Sequence, residues 1–567
     1  MKAERIWKIR DLDPEKVEKS KEQLSISHLL ASLLVARGIE TAEEATAFLN
    51  PSLAGIHDPN TMEGMRQAVA LIDDVVARGK KILIWGHEDA DGIASIIILH
   101  ETIRDLRGSV SYYVPNRLRE GHGLSEGGIR EAKRRGIDLI ITVDCGISNV
   151  DPAAVAREMG VGLVITDHHE ILGSLPGALA VVDPKRPDCK YPFKELSGCG
   201  VAFKLAQALV EKRLGLDVKQ WIDVKEDILG LSVLGTISDK VPLIDENRIL
   251  VKFGLGGLIG SRRLGINAII NNAPKYQDKV PTSMEIVRLI IQILSSGRSE
   301  KGTNQSCELL LTKDTEKAER LVLGLLSSSR KWQDEAKKTY MKASRSVNIS
   351  PSMKMLVVVD KEAPCNLLGY CASRLKEDYT RPVVAIGHRG DIAIGECRGP
   401  KGFDFVDCLK SCGDLFIDYG GHKQAAGFSV LPERIGQLQR ALEAYAASNF
   451  MDDAMQPVLW IDCSFPLSEM STELANEISA LAPFGEGNPQ PLIISRKVML
   501  EKTDGGYVFK SDNGKLFIKK GSPVGDWVNL SGDLVELDVI YSIDETGGLV
   551  LRDCRPSVFG DWPEENP

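Results

Sequence analysis

Histidine is scarce in this chain of 567 residues, with only 9, and aromatic residues make up only 6%. No apolar run approaches the roughly 18 residues that a spanning helix needs, so a membrane helix is excluded. The N-terminus, MKAERIWKIRDLDPEKVEKS, has no apolar core, which excludes a signal peptide of the usual kind. The 11 cysteines contain no C-x-x-C pair. An odd, scattered set argues against a disulfide frame and for reduced thiols in a cytoplasm, and its spacing is wrong for structural zinc. No internal repeat of solenoid length is present. A basic excess is missing too: the formal net charge is −9, which argues against a protein that simply coats polyanions.

That charge is unevenly spread. Residues 1–70 carry −2, 71–250 carry −4, 251–350 carry +8, 351–450 carry 0 and 451–567 carry −11. The middle is a basic belt and the end is acidic. Hydrophobic residues at 43% and charged ones at 26% are ordinary for globular domains.

The pattern along the chain sets out the domains. Residues 22–50 read as helices, with Thr41 and Glu44 spaced as a capping box. From residue 66, short β-branched runs alternate with helical stretches at 93–107, 124–136 and 150–159. The runs are KILIW (81–85), IDLIITV (137–143) and VGLVIT (161–166). Apolar strands separated by helices predict a parallel sheet covered on both faces. A basic helical stretch follows at 256–345, its second half (314–345) one long amphipathic helix. Strand-like runs return at 354–360, 382–387 and 391–397, and many short β runs with Gly turns fill 457–555. The fold class expected is α/β throughout, ending in a β-rich barrel or sandwich.

Three polar clusters each follow an apolar strand directly. KILIW leads into Gly86-His87-Glu88-Asp89-Ala90-Asp91-Gly92, IDLIITV into Asp144-Cys145-Gly146, and VGLVIT into Asp167-His168-His169-Glu170. In a parallel sheet the strand C-termini share one edge, where ligands bind, so the clusters should meet in space. Carboxylate oxygens and imidazole nitrogens without thiols suit Mn²⁺ or Mg²⁺ better than zinc. Several carboxylates in one pocket repel unless cations neutralise them, and two divalent ions could activate water against a phosphodiester. The alternative is that each Asp only caps the following helix. Asp239, in ILGLSVLGTISDKVP, reads by itself as a cap or turn residue.

Together these stretches resemble the four motifs of the DHH phosphoesterase superfamily: His87-x-Asp89-x-Asp91-Gly92, Val143-Asp144-Cys145-Gly146, Thr166-Asp167-His168-His169-Glu170 and Gly235-Thr236-Ile237-Ser238-Asp239. Within it the chain is most similar to the RecJ single-strand exonuclease family. That likeness extends to Tyr112-Tyr113-Val114-Pro115-Asn116-Arg117, Glu120-Gly121-His122-Gly123-Leu124 and Gly198-Cys199-Gly200-Val201-Ala202-Phe203-Lys204. Gly420-Gly421-His422 with Ala425-Ala426-Gly427 resembles the DHH-associated domain. Pro483-Phe484-Gly485 with Gly487-Asn488-Pro489 resembles the opening of an oligonucleotide-binding (OB) domain. The division implied is a helical segment 1–65, a DHH domain 66–255, a helical connector 256–345, a smaller α/β DHH-associated domain 346–450, and an OB-like domain with acidic tail 451–567.

The resemblance implies roles. His87, Asp89, Asp91, Asp144, His168 and Asp239 match metal ligands, for two divalent ions, Mn²⁺ or Mg²⁺. His169 matches the residue beside the scissile phosphate, and with Asp144 and His168 forms the implied catalytic set. Asp167 matches an orienting group. Arg117, Arg298, Arg398 and His422 match substrate contacts. The implied activity is metal-dependent 5′→3′ hydrolysis of single-stranded DNA in repair and recombination, in the cytoplasm. RNA is an alternative polymer, and a helicase or a single-strand-binding protein is a candidate partner. Two rival readings stay open: a DHH phosphoesterase of short oligoribonucleotides or other small nucleotides, and a non-catalytic DNA-binding scaffold.

Three positions depart from the family pattern: His87 stands where many relatives have Asp, His122 where Tyr is usual, and Glu396 where a hydroxyl is thought to help hold a terminal phosphate. If the acidic tail grips DNA through one basic face, charge reversal at Lys515, Lys519 and Lys520 should weaken single-strand binding at low salt. Filter binding would check this, and unchanged affinity would exclude that face.

Overall fold

The computed structural model describes residues 5–116, 120–121, 123–171, 173–272, 282–347, 350, 353–451, 456–503, 506–511, 514–517 and 535–557; for 422, 500–517 and 535 it describes the backbone alone. The chain divides into two compact units: Met1–Ile9 with Arg330–Ile461, and Arg10–Ser329 with Asp462–Pro567.

The larger unit is built on a five-stranded parallel sheet in the order Ser109–Tyr113, Lys81–Trp85, Leu139–Thr142, Gly162–Thr166, Ala180–Val182. Successive side chains in a strand point to opposite faces, so both faces need apolar residues. Ile82, Ile84, Leu139, Ile141 and Val164 enter one core. Leu83, Trp85, Ile140, Leu163 and Ile165 enter the core on the other face. The three apolar runs therefore form strands as expected. The outer strands were harder to read. Ser109–Tyr113 is polar at alternate positions because it is an edge, and Ala180–Val182 has only three residues.

The helix Ala90–Asp105 follows the Lys81–Trp85 strand and is capped by Asp89, which accepts a hydrogen bond from the Gly92 N–H. It is apolar nearly all round and buried, which fits its place under Gly198–Leu214 and Asp227–Ser238. The basic stretch is helical: Asp245–Ile259, Leu264–Asn271, Ser283–Leu294, Gln305–Leu311 and Thr315–Ser346. The last is a single helix of 32 residues, running across the division at Ser329.

The smaller unit holds a five-stranded sheet in the order Phe416–His422, Ala425–Val430, Ile392–Arg398, Val383–Arg389, Leu356–Val359. The last two strands are parallel and the others antiparallel. Helix Leu368–Tyr379 shares a core with Leu356, Val383 and Ala385. Ile6–Ile9 pairs in parallel with Val458–Ile461, a long-range pairing that no local pattern announces.

The C-terminal region forms a sheet in the order Gly514–Phe517, Gly506–Ser511, Ile493–Thr503, Val535–Ile543, Leu549–Pro556, with antiparallel neighbours. Its core is shared with the first helices: Leu29, Leu30, Leu33 and Leu34 pack with Ile478, Leu481, Val539 and Tyr541. The N-terminal helices are therefore one wall of the OB-like domain. Arg248 ties the two to the central domain. Its guanidinium, 1% exposed, lies 3.8 Å from the Phe48 ring centre. It donates to the carbonyls of Phe48 (2.7 Å), Ala480 (3.3 Å) and Ala482 (2.9 Å).

A buried ion pair joins helix Ala90–Asp105 to helix Asp227–Ser238 and to the N-cap of Leu264–Asn271. Arg263 donates to both oxygens of Glu101, at 3.0 and 2.9 Å, and to Asp227 at 2.5 Å. Burial pushes the Glu101 carboxyl up, but the bonds from Arg263 hold it below its usual range. Arg263→Ala strands Glu101 in the core and should cost about 3–5 kcal/mol in urea unfolding. A depressed carboxyl pKa stabilises the fold above its unfolded value, about 4.3, and that share is lost as pH falls through the folded value. The variant should therefore show a shallower loss of stability on acidification below about pH 5.

Candidate metal centre

The strand order, second-first-third-fourth-fifth, reverses direction between Lys81–Trp85 and Leu139–Thr142. This is the switch point where crevices form at strand C-termini. Asp89 and Asp91 follow the first of these strands, Asp144 the second, and Asp167, His168 and His169 follow Gly162–Thr166. Asp239 arrives from elsewhere, at the C-terminus of helix Asp227–Ser238. The side chains meet in three groups: Asp144, Asp167, His168, His169; His87, Asp89, Asp144; and Asp91, His168, Asp239. Within each group the candidate ligand atoms lie within 4.8 Å of one another.

Each side chain is held by its own backbone context. Asp89 accepts from Gly92 N at 2.9 Å, and its other oxygen lies 2.9 Å from His87 Nδ1. Burial opposes ionisation there, but the His87 bond and charge together with the Gly92 N–H hold Asp89 down to about 2. Asp91 is 2% exposed and accepts from the backbone of Gly198 (2.7 Å) and Cys199 (2.8 Å), in the first turn of helix Gly198–Leu214. A helix N-terminus with free N–H groups favours such a carboxylate. Asp144 takes φ of 56°, in the left-handed region that Asp and Asn tolerate better than most residues. Close approach is also required of glycines. A Cβ on Gly198 would lie 2.5 Å from the Asp144 Cβ, and one on Gly235 2.1 Å from Asp91 Oδ1.

Asp167 does not aim at the group as a bare acid. One oxygen accepts from Ile147 N at 2.9 Å. The other accepts from His168 N at 2.8 Å and lies 2.7 Å from His169 Nδ1. The Asp167 bond lifts His169 to about 9, against burial, so its imidazole is cationic at neutral pH. His168 Nε2 lies 3.1 Å from Asp144, 3.6 Å from Asp239 and 3.9 Å from Asp91. It is buried and makes no hydrogen bond among the described residues. Burial holds His168 below its usual range, which leaves the ring neutral with a lone pair to offer.

Burial and mutual repulsion act together on the acids. Burial first, then the Asp89 charge, pushes Asp91 up to about 6. Burial, then Asp91, pushes Asp239 up to about 6. Burial, then Asp91, Asp89 and the other acids, pushes Asp144 well above the carboxylate range. Crowded carboxylates around an unpartnered neutral imidazole form a donor set of oxygen and nitrogen that fits a hard divalent cation.

Comparisons with known proteins agree with this geometry. The DHH family, N-terminal domain, matches residues 81–236, the DHHA1 domain matches 352–448 and the RecJ OB domain matches 461–522. The single-stranded-DNA-specific exonuclease RecJ of Salmonella typhimurium is 32% identical over 89% of this chain and 91% of its own length. The chain belongs to the RecJ family. The Bacillus subtilis RecJ is 36% identical over 87% of this chain, and the chain spans 62% of that relative's length. The crystal structure of RecJ in complex with Mn²⁺ from Thermus thermophilus matches at 27% identity, with a TM-score of 0.78, covering 97% of this chain and 79% of that one.

Not every RecJ-like position expected from the sequence falls in this centre. Arg117 and His122 lie outside the described residues, as do Lys519 and Lys520. His422 and Lys515 are described only as backbone, in the strands Phe416–His422 and Gly514–Phe517. Arg298 is exposed at the turn before the Ser299–Glu300 and Thr303–Asn304 hairpin. Arg398 lies in the smaller unit, ion-paired with Glu396 at 2.9 Å. One acid was missed. Asp183 follows the Ala180–Val182 strand, as the other clusters follow theirs, and burial pushes it up to about 7. A three-residue strand gave too little pattern to flag it.

Carboxyls raised in the folded state destabilise it as pH rises through their folded values. In EDTA, the melting temperature of the wild type should therefore fall from about pH 4, the unfolded value, to about pH 7, as Asp91 and Asp239, both near 6, ionise. Asp144→Asn keeps the shape and tolerates φ of 56°. It should flatten that decline and melt no lower than wild type at pH 8, measured by calorimetry.

Proposed function

We propose that this chain is a metal-dependent, single-strand-specific exonuclease that hydrolyses DNA from the 5′ end, serving repair and recombination. The observation that carries the reading is the unpartnered His168 Nε2 facing Asp144, Asp239 and Asp91. Its relatives named single-stranded-DNA-specific exonucleases supply the substrate class. The residues that would hold the ions, Mn²⁺ or Mg²⁺, are Asp89, Asp91, Asp144, His168 and Asp239, with His87 as a further donor. His87 Nδ1 is engaged by Asp89.

Two such ions would acidify the attacking water and offset charge on the phosphoryl and leaving oxygens. The chain's own residues do the rest. Amides of Gly198 and Cys199 fix Asp91, and the Gly92 N–H with His87 fixes Asp89, so the ligands need not reorganise. Asp167 holds the His169 ring through Nδ1 and keeps it protonated. The free Nε2–H of His169 then donates to a phosphoryl oxygen and steadies its growing charge. Arg117, Arg298, Arg398 and His422 are proposed to contact the strand; arginine suits this because its planar fork binds phosphate oxygens in pairs. The +8 of residues 251–350 supplies a local basic path in an acidic chain.

The test is release of nucleotides from labelled single-stranded DNA by the purified chain with Mn²⁺, beside duplex DNA and RNA of the same sequence. Wild type should degrade single-stranded DNA. Asp144→Asn should lose at least about a hundredfold in rate. It should also lose the rise in melting temperature that Mn²⁺ gives the wild type. An Asp144→Asn protein that digests at the wild-type rate removes the metal-site reading.

A further inference from the structure

One contact of the OB-like domain falls on the chain just beyond a metal-facing acid. Asp239 caps helix Asp227–Ser238, and its N–H still donates to the Gly235 carbonyl at 2.9 Å. Lys240 then takes φ of 55°, a left-handed turn that ends the helix. Val241 and Leu243 are buried but lie between helices, so their backbone groups need partners from elsewhere. The Pro242 carbonyl accepts from Asn247 Nδ2 at 3.1 Å. The Leu243 N–H donates to the Glu486 carbonyl at 2.7 Å, in the loop 483–489 of the OB-like domain.

That loop comes so close because it lacks side chains at two places. A Cβ on Gly487, whose φ is 71°, would lie 2.7 Å from Pro242 Cβ and 3.1 Å from its Cα. One on Gly485 would lie 2.7 Å from Leu243 Cδ1. The loop is itself braced. Gly485 and Asn488 exchange backbone hydrogen bonds at 2.9 and 3.3 Å. Asn488, fully buried, donates to the carbonyls of Leu481 (2.8 Å) and Pro483 (2.9 Å) and accepts from Arg37 Nε at 3.0 Å. Arg37 donates in turn to the carbonyls of Leu33 (2.7 Å) and Pro489 (2.9 Å). The segment after Asp239 has an open side as well. Ser238, Lys240 and Val241 line a cavity of about 920 Å³, which Arg288 and Gln292 of helix Ser283–Leu294 line too.

We propose that Gly487, with the Glu486 carbonyl, is a positioning residue for the metal centre: the braced loop fixes the chain at Pro242 and Leu243 and so aims the Asp239 carboxylate at His168. Asp239 Oδ2 lies 3.6 Å from His168 Nε2. The left-handed turn at Lys240, the fixed φ of Pro242 and the restricted residue before it leave little slack between loop and ligand. A group that orients a metal ligand matters nearly as much as the ligand. The inference rests on the reading of Asp239 as a ligand. It gives the OB-like domain a part in hydrolysis that is separate from any grip on the strand.

The test is Gly487→Ala, which sets a methyl group against Pro242. The readouts are kcat on single-stranded DNA with Mn²⁺, Mn²⁺ affinity from the rise in melting temperature without DNA, and Kd for single-stranded DNA in EDTA by fluorescence anisotropy. The variant should lose about tenfold in kcat and in Mn²⁺ affinity, and keep the wild-type Kd for DNA. Pro242→Gly in the same chain removes the obstructing Cβ and should restore much of both losses. Gly38 has φ of 74° with nothing within 4 Å of a Cβ, so Gly38→Ala adds the same backbone strain without the clash and should change none of the three. If Gly487→Ala does not fold, Gly485→Ala, which presses on Leu243 without a left-handed φ, is read by the same criteria. A folded variant with wild-type kcat and Mn²⁺ affinity overturns the proposal. So does a loss confined to DNA affinity, a loss that Pro242→Gly does not relieve, or an equal loss in Gly38→Ala. If the wild type binds Mn²⁺ without cleaving DNA and Gly487→Ala still weakens that binding, the exonuclease reading fails and the positioning role stands.

Discussion

Like-charge repulsion at one edge of a parallel sheet is the constraint on which the rest of the larger unit depends. Asp89, Asp91, Asp144 and Asp239 are brought close enough that burial and their neighbours' charges raise three of them. Such an assembly survives folding only if the scaffold holds it rigidly and supplies compensating dipoles. The compensation is visible: two amides at a helix start serve Asp91, an N–H and an imidazole serve Asp89, and the Asp167–His169 pair adds a cation at the rim.

The scaffold's other features follow from holding these groups in place. Glycines stand where backbone must pass against a carboxylate, at Gly198 and Gly235. Asp144 sits in a left-handed conformation that sets its carboxylate beside His168. Behind the site, the helix Ala90–Asp105 is clamped by the buried Arg263–Glu101 pair. Stability is thereby drawn from apolar burial and a few satisfied ion pairs, while the site itself remains a local liability until its charge is offset.

The acidic net charge and a polyanionic substrate are compatible once the charge is divided by region. The carboxylates clustered at the sheet edge supply part of it, and the −11 of residues 451–567 supplies more, while the connector is basic. In the smaller unit, Arg398 is ion-paired with Glu396 of its own strand.

Much of the fold was readable from local pattern. The central strands, the long helix and the β-rich end are written in runs of apolar residues whose period reports burial directly. The edge strand Ser109–Tyr113 and the short Ala180–Val182 were not, because one is half polar and the other too brief for a period. For the site, alternation of strand and helix determined that the Asp89, Asp144 and His168 clusters share an edge, since parallel strands can end only there. The resemblance of the motifs, not their spacing, brought in Asp239. Tertiary structure alone decided which nitrogen and oxygens face one another, that Asp167 serves His169, that the first helices wall the C-terminal sheet, and that Glu396 engages Arg398. These depend on distances between residues far apart in the chain or on rotamers within a strand. Residue type and spacing carry the chemistry available, but only packing selects the partner.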